Sequence, residues 1–435
     1  MDLCVVGLGK LGAPLAAVLA SVGHRVVGVD LNPAAVQALN EGRAPVAEPG
    51  LQERLAMAGG RLRATTDFAD AIPASDLSFV IVPTPSGANG MFSNRYVVDA
   101  VRRIGTALRG TDRYHVVNIT STVMPGATGG EIRAALEAAS GRVVGQDVGL
   151  TYNPEFIALG SVVRDLLQPD MVLIGESDPR AGDLLAAAYR LTVPEGTPVQ
   201  RMNWACAELT KIAVNTYVTT KISYANMIAE MCDRLPGADA EVVTQALGRD
   251  SRIGAKYLKS ALGYGGPCFP RDNVALAALA RALGTRADVA EATDAVNRRQ
   301  VERVVGLVAR LAPQPATVAV LGLSYKPDTP VVDESQGVMI ARALAIAGYS
   351  VLVADPVALD SAIAVMGESV TPMGTAEAAV REAGIVVITT PDRAFAALPA
   401  ACFAGGKVVL DCWRILPAAV AEIADVVHLG RGPAG

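Results

Sequence analysis

The sequence is poor in several residue types that mark particular classes of protein. Aromatic residues make up only 4% of its 435 residues, and its six cysteines are scattered. They form no Cys-x-x-Cys pair and no His–Cys ligand spacing, which predicts a reducing compartment and no metal site. The three histidines, His24, His115 and His428, stand apart from the motifs described below. We expect them to be surface or satisfied residues rather than catalytic bases.

Long apolar runs and basic runs are also missing. No stretch of 18 or more purely apolar residues occurs, so the sequence predicts no transmembrane helix. The net charge of -5, without any Lys/Arg-rich run, argues against a nucleic-acid partner. The N-terminus runs directly into a strand pattern, which leaves no room for a signal peptide. We therefore expect a cytoplasmic protein with no membrane partner.

The remaining composition favours an α/β protein. Hydrophobic residues make up 51% of the chain, and its length predicts two to three domains. Alternating strand and helix patterns at both ends predict two Rossmann-like doubly wound domains, joined by a central helical domain with one long helix. The prolines at 194 to 198 and at 313 and 315 place the predicted boundaries, giving domains 1–198, 199–312 and 313–435.

The first residues carry a dinucleotide-binding pattern. A strand at Leu3–Val6 leads into Gly-Leu-Gly-Lys-Leu-Gly, a helix to about Val22, a second strand at Val26–Val29, and then Asp30. The glycines allow backbone N–H groups to approach a pyrophosphate, and the acid would bind both ribose hydroxyls while repelling a 2′-phosphate. This favours NAD over NADP. The predicted contacts are Gly7, Gly9, Lys10, Leu11, Gly12 and Asp30.

Candidate ligand contacts follow three more strand patterns. Pro83 and Thr84 follow Leu77–Val82, Ser121 and Thr122 follow Val116–Ile119, and Glu155 follows Val148–Tyr152. Ligands of open α/β sheets bind beyond the carboxyl ends of the strands, which makes the first four residues candidate cofactor contacts. The alternative for such hydroxyls is a helix cap or turn. Glu155, fixed by the preceding proline, is a candidate base.

The middle of the chain contains a long helix pattern and a cysteine loop. The helix, from about Asn203 to Arg234, places Lys211 and Asn215 one turn apart on one face, and its length suggests a dimer interface. The alternative for that pair is a solvated surface. Cys268 lies in a loop rich in glycine and proline, with Asp272 four residues on. Its thiol is either a nucleophile or a buried turn residue.

In this order the motifs resemble the UDP-glucose/GDP-mannose dehydrogenase family over nearly the whole chain. The anchors are GLGKLG with Asp30, VPTP at 82–85, STVMPGAT from Ser121, NPEF from Asn153, AELTKIAVN ending at Asn215, RIG at Arg252, GYGGPCFPRD around Cys268, and LGLSYKPDT from Leu321. The C-terminal domain, which opens with Thr317–Leu321, lacks a full GxGxxG, so its ligand would be something other than a second dinucleotide.

The resemblance implies a homodimer that performs an NAD-dependent, four-electron oxidation of a nucleotide-sugar C6 alcohol to a carboxylate. Cys268 would form a thiohemiacetal and then a thioester, and Asp272 would help to activate the hydrolytic water. Lys211 and Asn215 would stabilise the oxyanion, and the Lys211 ammonium would also favour the thiolate. Glu155 would be an acid or base, and Thr122 would assist through a water. The implied substrate contacts are Glu155, Phe156, Lys211, Asn215, Arg252, Tyr257, Gly265, Lys326 and Arg414.

Apart from Arg271, where Lys is common and the charge is kept, the sequence departs from the family pattern at three places. Leu159 stands where relatives have a glutamate, and Asp333 where they have an arginine that meets the cofactor. Asp411-Cys412-Trp413-Arg414 replaces the usual Asp-Gly-Arg-Asn. These changes leave the sugar open: a UDP-sugar such as UDP-glucose is favoured, with a UDP-N-acetylhexosamine or GDP-mannose as the alternative. A single-step hydroxyacid dehydrogenase and a non-catalytic nucleotide-sugar or NAD-binding regulator are the more distant alternatives.

Overall fold

The computed structural model describes residues 1–312 and 314–433, which form two compact units with their division between Ala213 and Val214. Each unit contains one sheet of predominantly parallel strands flanked by helices, and further helices lie in the middle of the chain. The predicted α/β class, with two Rossmann-like sheets and a central helical region, is confirmed. Pro313, at which a domain boundary was predicted, lies outside the described residues.

The first unit is built on an eight-stranded sheet of order β3-β2-β1-β4-β5-β6-β7-β8. Its strands are β1 Asp2–Val6, β2 Arg25–Val29, β3 Leu62–Thr65, β4 Leu77–Val80, β5 Val116–Ile119, β6 Gly149–Tyr152, β7 Val172–Glu176 and β8 Val199–Met202. Only β6 and β7 pair antiparallel within it. Alternate residues of β1 enter different hydrophobic clusters, with Leu3 and Val5 in one and Cys4 and Val6 in the other. Both faces are therefore covered, which explains why its strands are continuous apolar runs.

The second unit contains a six-stranded parallel sheet of order β11-β10-β9-β12-β13-β14. Its strands are β9 Thr317–Leu321, β10 Ser350–Ala354, β11 Thr371–Pro372, β12 Ile385–Ile388, β13 Val408–Asp411 and β14 Asp425–Val427. Val318 and Val320 face one hydrophobic cluster, whereas Ala319 and Leu321 face another. In both sheets the strand order changes direction at the strand that comes first in the chain: β1 lies between β2 and β4, and β9 lies between β10 and β12. Open α/β folds bind ligands at such a point.

The helices flank these sheets and fill the middle of the chain. In the first unit they are Gly12–Ser21, Pro33–Asn40, Leu51–Ala58, Phe68–Ala71, Arg95–Leu108, Arg133–Ser140, Val162–Leu167 and Pro179–Tyr189, with a 3₁₀ turn at Gly59–Arg61 and a π turn at Thr128–Ile132. In the second they are Ala240–Arg249, Phe269–Ala282, Asp288–Leu311, Gln336–Ile346, Leu359–Met366, Ala376–Glu382, Arg393–Ala396 and Ala418–Ala421, with 3₁₀ turns at Gly367–Ser369 and Ala400–Phe403. Helix Trp204–Cys232, of 29 residues, runs through the division between the units. Among the described residues we find no helix with the length and apolar character that crossing a membrane requires.

Several helices begin at a side chain that accepts a hydrogen bond from the first turn. Asn32, Asp178, Asp239, Ser335 and Thr375 each occupy the N-cap position and accept a backbone N–H two or three residues on. Such caps satisfy N–H groups that the helix itself leaves without partners. The polar residues between the apolar runs therefore fix where these helices start.

The first sheet extends beyond the predicted first domain. Strand β8 pairs in parallel with β7 from Val172↔Val199 to Gly175↔Met202. The last strand of the sheet, β8, therefore begins after the boundary predicted at residue 198. The sequence did not indicate this strand because it is mostly exposed and has no apolar run. The three-domain division as a whole stays a prediction.

Candidate active site

The turn after β1 has the shape that a pyrophosphate requires. Gly7 has φ of +96°, and a Cβ there would collide with the backbone carbonyl of Ile81. A Cβ at Gly12 would collide with the carbonyl of Gly7, so this glycine permits the close approach of helix and strand. At Gly9, by contrast, a Cβ would meet no protein atom within 4 Å. The space in front of the first helix is therefore open, and the residues fit a bound dinucleotide.

Asp30, directly after β2, is held beside this turn. Its Oδ2 accepts the N–H of Leu8 at 2.6 Å, and its Oδ1 accepts the N–H of Asn32 at 2.8 Å. Because an ionised carboxylate offers about four lone-pair sites, both oxygens can still accept a ribose hydroxyl. The second sheet repeats this arrangement, since Asp355 after β10 accepts the N–H of Leu323 at 2.6 Å. The architectural similarity of the two ends thus extends to their acids.

The predicted cofactor segments after β4 and β5 lie side by side. These strands pair in parallel, and the Ser121 hydroxyl accepts the N–H of Val82 at 2.9 Å and donates to its carbonyl at 2.7 Å. Ser121 therefore ties the two segments together. Pro83 is exposed, Thr84 is buried, and Thr122 is half-buried. Their cofactor contacts stay predictions.

Glu155 lies three residues beyond the end of β6, beside Lys211. The Lys211 ammonium is buried, donates to the backbone carbonyl of Glu155 at 2.6 Å, and lies 4.8 Å from the centre of the Phe156 ring. A cation over an aromatic face with a carbonyl partner is stabilised without a carboxylate. Because this positive charge lies beside the Glu155–Phe156 backbone, the first unit does bring these three predicted residues together.

The Glu155 carboxyl is held by a residue that the sequence did not indicate, Tyr189. The Tyr189 hydroxyl lies 3.1 Å from its Oε1 and 2.6 Å from Oδ1 of Asn153. Desolvation raises the pKa of Glu155 to about 7, although Tyr189 and the Lys211 charge oppose that rise. A carboxyl that titrates near neutral pH is suited to general acid–base chemistry.

Glu208 is a fully buried carboxyl that the sequence analysis missed. It lies in helix Trp204–Cys232 and accepts the N–H of Gly126 at 2.6 Å and that of Thr128 at 2.7 Å. Burial raises its pKa, while those hydrogen bonds oppose the rise. It thereby anchors the loop that follows Thr122. The motif that contains Glu208 was recognised, but its partner lies about 80 residues away, and no local pattern reveals that contact.

In the second unit, Cys268 is the exposed N-cap residue of helix Phe269–Ala282. Asp272 lies one turn into that helix, and its Oδ2 accepts a hydrogen bond from Asn215 Nδ2 at 2.6 Å. Both Asp272 and Asn215 are buried. The positive end of the helix dipole favours a thiolate at Cys268. The exposure of Cys268 also contradicts the alternative of a buried turn residue.

The glycines before Cys268 are required by close packing. The N–H of Gly266 donates to the Asp333 carbonyl at 2.9 Å, and a Cβ at Gly266 would lie 2.6 Å from the Tyr325 ring. A Cβ at Gly265 would collide with the Glu334 carbonyl. Asp333, one of the departures from the family pattern, therefore supports the cysteine loop through its backbone.

Two other predicted substrate residues lie near this loop. The Tyr257 ring, 54% exposed, makes an edge-to-face contact with Phe269, with 6.4 Å between the ring centres. The Lys326 ammonium lies 5.9 Å from the centre of the Tyr325 ring, which itself packs on Gly266. The second unit thus brings Tyr257 and Lys326 into the surroundings of Cys268.

The two predicted arginines are engaged with carboxylates. Arg252 is exposed and pairs with Asp250 at 2.6 Å. Arg414 Nη1 donates to Asp239 at 2.9 Å and to Glu241 at 3.1 Å, and its Nη2 donates to the Leu429 carbonyl. The Arg414 guanidinium therefore serves the packing of the second unit, and the substrate roles of both arginines stay predictions.

Leu159 packs against the hydrophobic cluster on one face of the first sheet. The leucine is half-buried among apolar side chains, so this position supplies packing rather than a polar group. Glu155 is accordingly the carboxyl that the segment after β6 offers to a site.

Comparison with known proteins identifies the chain. Three family models match in order: the NAD binding domain of the UDP-glucose/GDP-mannose dehydrogenase family at residues 1–193, its central domain at 205–299, and its UDP binding domain at 319–418. The chain belongs to this family. It is an NAD-dependent nucleotide-sugar dehydrogenase, and NAD is its cofactor.

Individual relatives support the same assignment. The chain is 39% identical to the UDP-glucose 6-dehydrogenase AglM of Haloferax volcanii over 365 residues, which cover 83% of this chain and 84% of that protein. It is 36% identical to the GDP-mannose 6-dehydrogenase of Pseudomonas putida over 359 residues, covering 82% and 81%. The structure of a UDP-glucose dehydrogenase from Pyrobaculum islandicum matches with a TM-score of 0.89 at 37% identity, covering 98% of this chain and 96% of that one.

The raised pKa of Glu155 predicts a pH-dependent stability. The carboxyl would release its proton near pH 4.5 when unfolded but near pH 7 when folded, so stability falls as pH rises between these values. Glu155→Gln has no such proton to lose. Between about pH 5 and about pH 8, we expect the unfolding free energy of the variant to rise by about 2 kcal/mol relative to that of the unmodified protein. This is less than the energy that corresponds to the whole pKa shift, because Glu155 is only half-buried.

Urea denaturation at several pH values measures this difference. The matched control is Glu195→Gln, a change at an exposed glutamate, which should leave the pH dependence unaltered. Parallel curves for Glu155→Gln and the unmodified protein would contradict the raised pKa.

Proposed function

We propose that this chain oxidises the C6 alcohol of a UDP-sugar, with UDP-glucose as the preferred substrate, to the corresponding uronic acid. The observation that carries the proposal is the exposed Cys268 at a helix N-terminus, one turn from an Asp272–Asn215 hydrogen bond of 2.6 Å. A thiol nucleophile explains how one enzyme can take an alcohol past the aldehyde. The choice of sugar is supported by the UDP-glucose 6-dehydrogenases among its relatives.

The first unit supplies the groups for cofactor binding. The turn at Gly7, Gly9 and Gly12 would hold the pyrophosphate, and Asp30 would accept the ribose hydroxyls, with Lys10, Leu11, Pro83, Thr84 and Ser121 nearby in the sequence pattern. NAD, when bound, accepts one hydride in each of the two oxidations. The Asp30 charge disfavours a 2′-phosphate at the ribose, so NADP should be a poor substitute.

Glu155 is the proposed base for the first oxidation. Its carboxylate takes the proton of the C6 hydroxyl as the carbon is oxidised to the aldehyde, and Thr122 assists through a water. A pKa of about 7 means that this carboxyl is ionised and protonated in comparable amounts near neutral pH. It can therefore accept the proton and release it again between turnovers.

Cys268 is the proposed nucleophile for the second oxidation. Its thiolate forms a C–S bond to the aldehyde carbon, and the carbonyl electron pair moves onto the oxygen, which gives the thiohemiacetal as its oxyanion. Loss of the C6 hydride from this adduct, while the oxygen electron pair re-forms the carbonyl, leaves a thioester. Lys211 and Asn215, fixed donors four residues apart on one uninterrupted helix, would stabilise the negative oxygen.

Hydrolysis of the thioester completes the reaction. Water attacks the acyl carbon, the C–S bond breaks with its electrons returning to sulfur, and the carboxylate product leaves. Asp272 would accept a proton from that water, and its hydrogen bond from Asn215 keeps the carboxylate oriented. Phe156, Tyr257, Gly265, Lys326 and the two predicted arginines, Arg252 and Arg414, are the further proposed substrate contacts.

Replacement of the thiol should stop acid formation. We expect Cys268→Ala to lower the rate of uronic acid production by at least about 1,000-fold, because the variant lacks the thiol that forms the proposed acyl intermediate. Product analysis by mass spectrometry, together with NADH absorbance, should give two NADH per acid for the unmodified enzyme. The matched control is Cys206→Ala, another exposed cysteine, which should retain activity. One NADH per turnover, with the aldehyde as final product, would contradict the proposal.

A panel of nucleotide-sugars tests the substrate. We expect kcat/KM to be highest for UDP-glucose, with UDP-N-acetylglucosamine, UDP-N-acetylmannosamine and GDP-mannose at least about tenfold lower, a difference of about 1.4 kcal/mol in transition-state binding. GDP-mannose is the principal alternative because a relative acting on it is 36% identical. A higher kcat/KM for any other member of the panel would change the assigned sugar while leaving the thiol chemistry intact.

We also propose that the enzyme is a homodimer that forms through helix Trp204–Cys232. Beyond the division between the units, this helix exposes large apolar side chains at seven-residue intervals: Tyr217 is 66% exposed, Tyr224 46% and Met231 58%. A spacing of seven places them on one face, as in helices that pack against a second helix. Arg252 would then be available to reach a neighbouring subunit.

A charge in this stripe should prevent dimerisation. We expect Tyr224→Asp to shift the protein from dimer to monomer in sedimentation velocity, because the carboxylate would have to be buried in the interface. Leu283→Asp, at a 70% exposed leucine outside the stripe, is the control and should remain dimeric. A monomeric unmodified protein at micromolar concentration would contradict the proposed interface.

A further inference from the structure

Tyr189 ends helix Pro179–Tyr189 with its side chain inside the first unit. The residue is 4% exposed, and its ring packs edge-on against Phe79, with 6.3 Å between ring centres. Its hydroxyl lies 2.6 Å from Asn153 Oδ1 and 3.1 Å from Glu155 Oε1. Two side chains of the segment after β6 therefore meet at a single phenol.

The Asn153 acceptor is fixed in its orientation. Its Nδ2 donates to the Leu173 carbonyl at 2.8 Å, which requires the amide oxygen to face Tyr189. Its backbone N–H donates to the Ile119 carbonyl at 2.9 Å. The amide oxygen is thus a permanent acceptor that competes with the carboxyl for the phenol hydrogen.

A phenol has one hydrogen to donate and lone pairs to accept with. When Glu155 is ionised, the hydrogen of Tyr189 can turn to its carboxylate oxygen. When Glu155 is protonated, the carboxyl hydrogen can point to the phenol oxygen while the phenol donates to Asn153. In both cases Glu155 keeps a hydrogen-bond partner, and only the hydroxyl hydrogen has to rotate.

We propose that Tyr189 is a positioning residue for the oxidation, which holds the Glu155 carboxyl in one place through both of its protonation states. The inference rests on the proposed role of Glu155 as the acid–base group. Because a partly desolvated carboxyl that lost its partner on titration would be destabilised, a partner that can both donate and accept allows proton exchange without movement of the side chain. Tyr189 itself neither takes the substrate proton nor touches the reacting carbon.

The charges that face Glu155 are consistent with this role. Among the described residues, its titratable neighbours are Tyr189 from helix Pro179–Tyr189 and Lys211 from helix Trp204–Cys232. Burial, followed by the neighbouring carboxylate, raises the pKa of Tyr189 well above its ordinary value, so the phenol stays protonated. Both neighbours favour the ionised carboxyl, and desolvation opposes them.

The test is the pH dependence of kcat/KM in Tyr189→Phe. The change removes the donor to the carboxylate, so the pKa of Glu155 should rise and the acid limb of the profile should move to higher pH by about one unit. At pH values above the pKa of Glu155 in both enzymes, kcat/KM should be nearly unchanged, and KM for the nucleotide-sugar should change less than twofold. An acid limb in the same place as in the unmodified enzyme would overturn the inference.

A second variant tests the inference even if Tyr189→Phe fails to fold. 3-Fluorotyrosine incorporated at position 189 has nearly the same size but is a more acidic phenol and a better donor. It should move the acid limb in the opposite direction, to lower pH. A packing role for the ring would leave the limb where it is, and that result would overturn the inference.

Two further variants separate this inference from the proposed function. Tyr114→Phe removes a phenol that lies 3.3 Å from the Asp178 carboxylate and should leave the profile unaltered. Glu155→Gln should lose the acid limb together with most of the activity. If Glu155→Gln stays fully active, the proposed role of Glu155 is wrong. If Glu155→Gln loses activity but the Tyr189 variants keep the pH profile of the unmodified enzyme, only the inference about Tyr189 is wrong.

Discussion

The structure depends on one constraint of parallel sheets: neighbouring strands, buried on both faces, all end at the same edge. Four neighbouring strands, β1, β4, β5 and β6, run in parallel. The residues that follow them therefore lie together at that edge, although they are far apart in the sequence. The glycine turn, the proline segment, Ser121 and Glu155 each follow one of these strands. The chemistry of the first unit is therefore placed by the ends of its strands rather than by a separate structure.

The helix Trp204–Cys232 contributes buried polar side chains to each of the two units. It supplies Glu208 and Lys211 to the first unit and Asn215 to the second, and each of these buried polar groups has a fixed partner in its own unit. A run of 29 residues without glycine or proline makes such a helix stiff.

Much of this arrangement could be predicted from the sequence, because apolar runs and glycine turns are local signals. The strands that precede the candidate site residues were predicted, including those before Asp30 and Glu155, and so was the placement of Lys211 and Asn215 on one helix. The strands β3, β7, β8, β11 and β14 were not predicted. Four of them are short, partly exposed edge strands with mixed composition, whereas β7 is a buried apolar run that was overlooked. The partners of Glu155 and Gly126 lie 34 and 82 residues away, and only the folded chain shows the carboxylates that hold Arg414.

The packing around Cys268 has a consequence for changing the enzyme's specificity. Gly265 and Gly266 fit against the backbone of Glu334 and the ring of Tyr325, so the thiol loop and the opening of the C-terminal segment are shaped to each other. A chimaera that took its C-terminal third from a relative would present a different surface to those two glycines. Exchange of the UDP binding domain by recombination would therefore require the crossover to carry both pieces together.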